Sequence, residues 1–363
     1  MAGAEQIDFR ARDAESLARY FDFFGEVECP QVEAHLYQSL CAGVIRDAEI
    51  LSMAAETPPN QPAANLLFGA VHYLLLGGEA HALREWYPAL AIGEPRDSRS
   101  AYAPFRSFCL EYRSRIEGLI RTRLTQTNVV QRCSVLLPAF AHIWKSGGGA
   151  PLALIEIGPS AGLNLQWDRF RYRYARAEPG GEVRCWGDPQ SPVLIECELR
   201  GDRRPSHWPE QIPVESRRGV DISPVDVTDP DAVQWLRALI WPDHVGRQER
   251  LGAAIKITRE HPPAIVQGNA AERLPDLISR APADATLCVY GTHTLYQFPR
   301  DDLINTLKSM QSAANARPVY FASCESTGDR CSELRLTTYR GSERDTALLA
   351  RCNPHGRWLE WLV

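Results

Sequence analysis

The chain has 363 residues, of which 44% are hydrophobic and 23% charged, enough length for two packed cores and an ordinary globular composition. A net charge of -5 supplies no overall positive field for nucleic acid or an anionic membrane, so small-molecule chemistry is the expectation. The opening MAGAEQIDF lacks a charged segment followed by an apolar one, and the longest apolar run, Leu66–Leu76, is too short to span a bilayer; the reading is a cytoplasmic protein.

From Ala14 to Lys145 the pattern is helical. Leu36, Leu40, Val44 and Leu51 recur near a 3.6 period, as do apolar residues through Phe105–Leu124 and Val129–Trp144. Thr57-Pro58-Pro59-Asn60, Gly77-Gly78 and Gly93–Pro95 end successive helices. On the later helices Arg106, Arg113, Arg115, Arg121, Arg123 and Arg132 outnumber the acids. A solvated face laced with Glu111 and Glu117 is the favoured reading, and an anion-binding face is the alternative.

Ser146-Gly147-Gly148-Gly149 interrupts this pattern and marks a junction. It separates an all-helical N-terminal domain, 1–146, from an α/β domain, 150–363. Leu152–Ile157 is a short apolar run suited to a parallel strand buried on both faces, followed by a tight turn, Gly158-Pro159-Ser160-Ala161-Gly162, and a helix starting in Leu163–Phe170. Short alternating and aromatic runs at Tyr172–Tyr174, Val183–Trp186 and Val193–Leu199 form a β-rich insertion, 171–213. Strands at Val214–Ile222, Ala264–Gln267, Thr286–Tyr290 and Pro318–Ser323 then alternate with helices at Asp231–Leu239, Arg247–Arg259, Leu274–Arg280 and Asp301–Ser312. That alternation specifies a mainly parallel, doubly wound sheet. Glu333–Tyr339, Thr346–Cys352 and Trp358–Leu362 read as antiparallel edge strands that finish it.

The ligand site of such a sheet lies at the carboxyl ends of its strands. Glu156, Gly158, Ser160 and Gly162 follow from the first strand, because glycines let the backbone approach a ligand and the amides of the next helix favour an anion. Asp221 ends the next strand and can accept bonds from a ribose diol or cap the segment after it. Asn269 can pair with an adenine edge. His293 and Tyr296 face the reacting group, although His293 is also explained as a satisfied structural histidine.

The ten cysteines lack short paired spacings, so free thiols are expected. Cys324, Cys331, Cys352 and His355 could be assembled into a zinc site, but no CxxC or HxxxH supports one and no metal is expected.

The segments Glu156-Ile157-Gly158-Pro159-Ser160-Ala161-Gly162, Val220-Asp221-Ile222-Ser223-Pro224 and Gln267-Gly268-Asn269-Ala270 together resemble the first motifs of class I S-adenosylmethionine-dependent methyltransferases, with serine at the middle glycine. The chain at large resembles a bacterial group, domain of unknown function family 2332. That resemblance rests on Thr125-Gln126-Thr127-Asn128, Ser160–Leu165, Gly219-Val220-Asp221 with Pro224, and Trp241-Pro242, and Val129 stands where the group is expected to carry an acid. The resemblance implies a Rossmann-like methyltransferase sheet, parallel with antiparallel C-terminal strands, and S-adenosyl-L-methionine as cofactor. The cofactor would be held by Glu156, Gly158, Ser160, Gly162, Asn164, Asp221, Ile222, Asn269, Ala270 and Tyr290. His293 would be the base, with Tyr296 or Glu325 orienting a small-molecule acceptor. Neither nucleic acid nor a membrane is an expected partner, and assembly as a homo- or hetero-oligomer stays open. Two other functions fit the same residues: a cofactor-independent displacement or ring closure on this fold, and a non-catalytic binder that uses the helical part as a partner surface.

Overall fold

The run Ala63–Leu76 is apolar on every side, and a helix of that composition must be buried. The computed structural model describes residues 10–126, 128–178, 180–206, 208–328 and 331–363. The opening MAGAEQIDF and Thr127 of the Thr-Gln-Thr-Asn stretch lie outside the described residues. Helices up to residue 146 are α1 (Ala14–Phe23), α2 (Cys29–Gln31), α3 (His35–Val44), α4 (Ala48–Ala54), α5 (Ala63–Leu76), α6 (Tyr102–Glu111), α7 (Arg113–Thr122) and α8 (Cys133–Ser146). Asp13 and Asp47 start α1 and α4 by accepting backbone N–H bonds from Ser16 and from Glu49 and Ile50.

Two compact units divide the chain, and the division does not fall at Ser146–Gly149. The first holds the described residues of 1–127 with Asp229–Glu249; the second holds Asn128–Thr228 and Arg250–Val363. Helix α8 therefore belongs to the second unit, and the later helix α9 (Pro230–Ala238) to the first. The cause is apolar packing. Trp235, Ala238 and Leu239 join the core built around α5, where Gly69 leaves room, since a Cβ there would lie 3.3 Å from Leu239. Phe140 of α8 instead packs on Trp167 and Tyr290, ring centroids 4.9 and 5.1 Å away.

In the first unit the arginines of α6, α7 and the segment after them meet acids. Arg106 pairs with Asp47 and Glu49, Arg113 with Glu117, Arg115 with Glu79, Arg121 with Glu56 and Glu117, and Arg123 with Asp231. Glu111, expected in that lacing, lies beside His81.

The second unit carries α10 (Val245–Glu260) from Arg250 onward, α11 (Ala270–Ser279), α12 (Arg300–Ala313) and one 11-stranded sheet. Its strands are β1 (Leu152–Ile157), β2 (Arg171–Ala175), β3 (Val183–Trp186), β4 (Leu194–Arg200), β5 (Val214–Asp221), β6 (Ala264–Gln267), β7 (Thr286–Thr292), β8 (Val319–Ser326), β9 (Ser332–Arg340), β10 (Glu343–Cys352) and β11 (Trp358–Trp361). The order is β3-β2-β4-β11-β10-β9-β8-β7-β1-β5-β6. From β6 to β8 every neighbouring pair is parallel. The chain runs from β1 outward through β5 to β6, then restarts on the other side of β1 with β7 and β8, so strand order reverses between β1 and β7. All six residues of β1 are buried, as a central strand covered on both faces requires. Ile155, Ile157, Leu287, Val289 and Phe321 pack against Leu274 and Leu277 of α11 and Met310 of α12. Tyr290 points the other way, to Phe140 of α8.

Two local expectations are corrected. Leu163–Arg169 is a 3-10 segment, so no α-helix follows the glycine turn. The antiparallel β9 and β10 lie inside the sheet instead of at its edge, because β11 pairs in parallel with β4 and the strands of 171–213 continue the same sheet.

Candidate functional site

The turn after β1 uses three left-handed residues, Gly158 (φ 71), Ser160 (φ 52) and Gly162 (φ 70). A left-handed serine is sparsely populated and needs outside support, which Asp221 supplies. Its Oδ2 accepts the Ser160 N–H at 2.8 Å and its Oδ1 accepts the Ser223 N–H at 2.9 Å. Gly219, two residues earlier on β5, permits this approach, because a Cβ there would come within 2.7 Å of Pro159. The glycines of the turn serve internal packing. A Cβ on Gly158 would meet Thr294 at 2.5 Å, and one on Gly162 would meet Pro263 at 2.7 Å and Ile265 at 2.8 Å. Their side-chain positions face protein, so packing within the protein is itself a reason for glycine at both positions. The Ser160 N–H is spent on Asp221, and the segment that follows is 3-10 in place of the expected α-helix.

Beneath this turn three of the expected residues come together on the α8 face of the sheet. Glu156 and Tyr290 are register partners on β1 and β7, and Tyr290 Oη donates to Glu156 Oε2 at 3.0 Å. Asn164, buried beside Cys133, also hydrogen-bonds Glu156. Burial pushes the Glu156 carboxyl up to about 8, against the opposing effect of the Tyr290 and Asn164 bonds, so it holds its proton at neutral pH.

The end of β7 repeats the strained geometry: His293 has φ 53. Its N–H donates to Cys324 O at 2.8 Å, and its Nε2 lies 3.1 Å from Ser332 Oγ. Burial, and then the nearby Arg132 charge, push the imidazole down to about 3. It is thus a neutral ring and a weak base. Glu325, at the end of β8, accepts the N–H groups of Thr294 and Leu295 on Oε1 at 3.0 and 3.1 Å. Its Oε2 is buried without a hydrogen-bond partner among the described residues, and burial raises its pKa above the usual carboxylate range.

Other expected residues stand apart from these groups or are committed elsewhere. Asn269 caps α11, its Oδ1 accepting the Ala271 N–H at 2.9 Å while its Nδ2 donates to Asp302 at 2.8 Å; the amide expected to read adenine is spent on structure. Ala270 is buried. Ile222, just past β5, and Tyr296, in the 3-10 segment Leu295–Gln297, are 72% and 73% exposed.

Arg132 was read in the sequence only as one of a run of helix arginines. Its Nε donates to Pro354 O at 3.0 Å, in the turn between β10 and β11, and no carboxylate lies within ion-pair distance among the described residues. Its charge nonetheless acts on Glu156, His293 and Glu325. Asn128 was noted only through the family resemblance. Its Nδ2 donates to Pro159 O at 2.7 Å, while its Oδ1 and Ser160 Oγ are buried without partners among the described residues. No periodicity or spacing marks either residue, because their partners are far away in the chain.

Cys324 and Cys352 bring their sulfurs to 3.6 Å, yet all ten cysteines are free thiols. Among the described residues no group of three or more His, Cys, Asp or Glu could hold a metal ion, and no helix is long and apolar enough to cross a membrane.

Fold and site together define a mixed α/β protein whose largely parallel sheet carries a strained, polar cluster where its strand order reverses. The family model described as uncharacterized protein conserved in bacteria (DUF2332) matches residues 18–361, and the chain belongs to that family. No curated protein and no solved structure matches it.

Proposed function

We propose that the second unit is an S-adenosylmethionine-dependent methyltransferase for a small-molecule acceptor, with a Rossmann-like sheet. The observation that carries this reading is Asp221 at the carboxyl end of β5, bonded to the left-handed Ser160 of the neighbouring turn and followed by the exposed Ile222. The residues fit a nucleoside. Each Asp221 oxygen accepts one backbone bond and keeps capacity for a ribose hydroxyl, Ser160 Oγ is a buried polar atom without a partner among the described residues, and Ile222 offers an apolar surface to a base. When bound, S-adenosylmethionine supplies an electrophilic methyl group. The protein's own task is to hold the acceptor in line and to exclude water. Glu325 is the better proton acceptor of the two candidates, since its pKa is raised, its Oε1 is fixed by two backbone amides and its Oε2 is unspent. His293, neutral and held by Ser332, orients the acceptor together with Tyr296.

A second reading has its own observation. With the side-chain positions of Gly158 and Gly162 facing protein and Asn269 spent on α11, several contacts expected for the cofactor are committed elsewhere, which favours a cofactor-independent displacement or ring closure. Calorimetric titration with S-adenosylhomocysteine decides between them. Micromolar binding that is lost in Asp221→Ala and weakened in Ile222→Asp supports methyl transfer; the Ile222 variant is the cleaner one because that side chain is exposed. No binding by folded wild-type protein overturns it in favour of the second reading.

A further inference from the structure

We infer that Arg132 is the anchor of an anion subsite and that the small molecule handled beside β7 and β8 carries a carboxylate. The subsite does not rest on the methyl-transfer reading. Arg132 is half-buried, and a guanidinium partly withdrawn from water is stabilised by a carboxylate or by a full set of hydrogen bonds. The other arginines of its sequence run have acids, whereas among the described residues Arg132 has one bond to a carbonyl, from Nε to Pro354 O. That bond fixes the plane of the group and leaves the two Nη nitrogens, a fork matched to two oxygens of one carboxylate.

The surroundings contain further unspent polar atoms. Among the described residues Glu325 Oε2, Ser160 Oγ and Asn128 Oδ1 are buried without partners, and all belong to segments that touch one another. Glu325 holds the amides of Thr294 and Leu295, Thr294 lies against Gly158, and Asn128 bonds Pro159. Charge decides the class of anion. Arg132 brings a single positive charge beside Glu325, so a singly charged carboxylate meets less repulsion there than a phosphate dianion, which adds a second negative charge.

The test uses the full chain labelled with ¹⁵N-arginine, titrated with acetate and, separately, with inorganic phosphate, and read at the Arg132 Nε–H resonance assigned by its loss in Arg132→Lys. Acetate should shift that resonance saturably, with phosphate at least ~tenfold weaker, the equivalent of about one charge-assisted hydrogen bond. Glu325→Gln should tighten acetate binding at mildly alkaline pH. It serves as the second variant if Arg132→Lys fails to fold, since removing a neighbouring negative charge strengthens only an anion bound at this place. Absence of a saturable shift in folded wild-type protein, tighter phosphate than acetate, or no change in Glu325→Gln overturns the inference. S-adenosylhomocysteine titrated into the same samples separates the two ideas: its binding without acetate binding removes the subsite alone, and acetate binding without it removes methyl transfer alone.

Discussion

Tyr290 Oη donates a hydrogen bond to Glu156 Oε2 across adjacent parallel strands, 3.0 Å long and wholly buried beneath Phe140. A carboxylic acid in that setting is stabilised in its neutral form by its lack of solvent, and the carboxyl sits at about 8 when folded against 4.5 when free.

Stability is therefore expected to depend on pH in a specific direction. The folded pKa is raised, so Glu156 contributes fully below about 4.5, and that contribution is lost as pH rises toward about 8. The loss across this window is on the order of a few kcal/mol. Urea unfolding at successive pH values reads it directly. Glu156→Gln keeps a neutral side chain and should flatten the slope; an unchanged slope would show that another group titrates.

His293 should not titrate in the ordinary range. With its imidazole pushed down to about 3, its ring signals should stay fixed between about pH 5 and 8, where unperturbed histidines change charge. Proton NMR of the wild type against His293→Gln gives the assignment. A midpoint near neutrality would restore His293 as the base and remove that role from Glu325.

Gly158→Ala should destabilise the second unit by about 2 kcal/mol or more, since alanine adds both a left-handed strain and a close contact. The contact is with Thr294, 2.5 Å from the new Cβ. Thr294→Ser removes the methyl group from that contact while keeping the backbone bond to Glu325, and should recover part of the loss in the double variant. Strict additivity in thermal unfolding would refute the proposed contact.

Gly43 sets helix propensity against packing. In the last turn of α3 alanine gains up to about 1 kcal/mol of helix propensity. Its Cβ, however, would stand 2.1 Å from the Tyr102 ring, which is itself held by a bond to Asp47. Overpacking of this kind costs about 1 to 3 kcal/mol, so Gly43→Ala should lower the melting temperature of the first unit. A stabilised variant would mean that Tyr102 swings out easily, and loss of the Tyr102–Asp47 bond would be the sign to seek.

Much of the architecture was legible from local pattern. Leu152–Ile157 is apolar throughout because both its faces are covered, and Ala264–Gln267 is a strand with the bounds that its composition suggested. The alternating runs of 171–213 are strands, although nothing in them announced that they continue the main sheet beyond β11. Leu163–Arg169 misled, because its apolar spacing suits a 3-10 segment as well as an α-helix over so few residues.

The sequence by itself determined where most strands and helices lie, that a glycine turn follows the central strand, and that an acid ends the next, since each depends on burial period and backbone conformation over a few neighbours. Tertiary structure alone decided that Thr294 faces Gly158, that Asn269 caps a helix and binds Asp302, that α9 and α8 exchange the units expected of them, and that Arg132 stands without an acid while acting on Glu325. These pairings join positions tens to hundreds of residues apart, and strand order, which no local period encodes, brings them together.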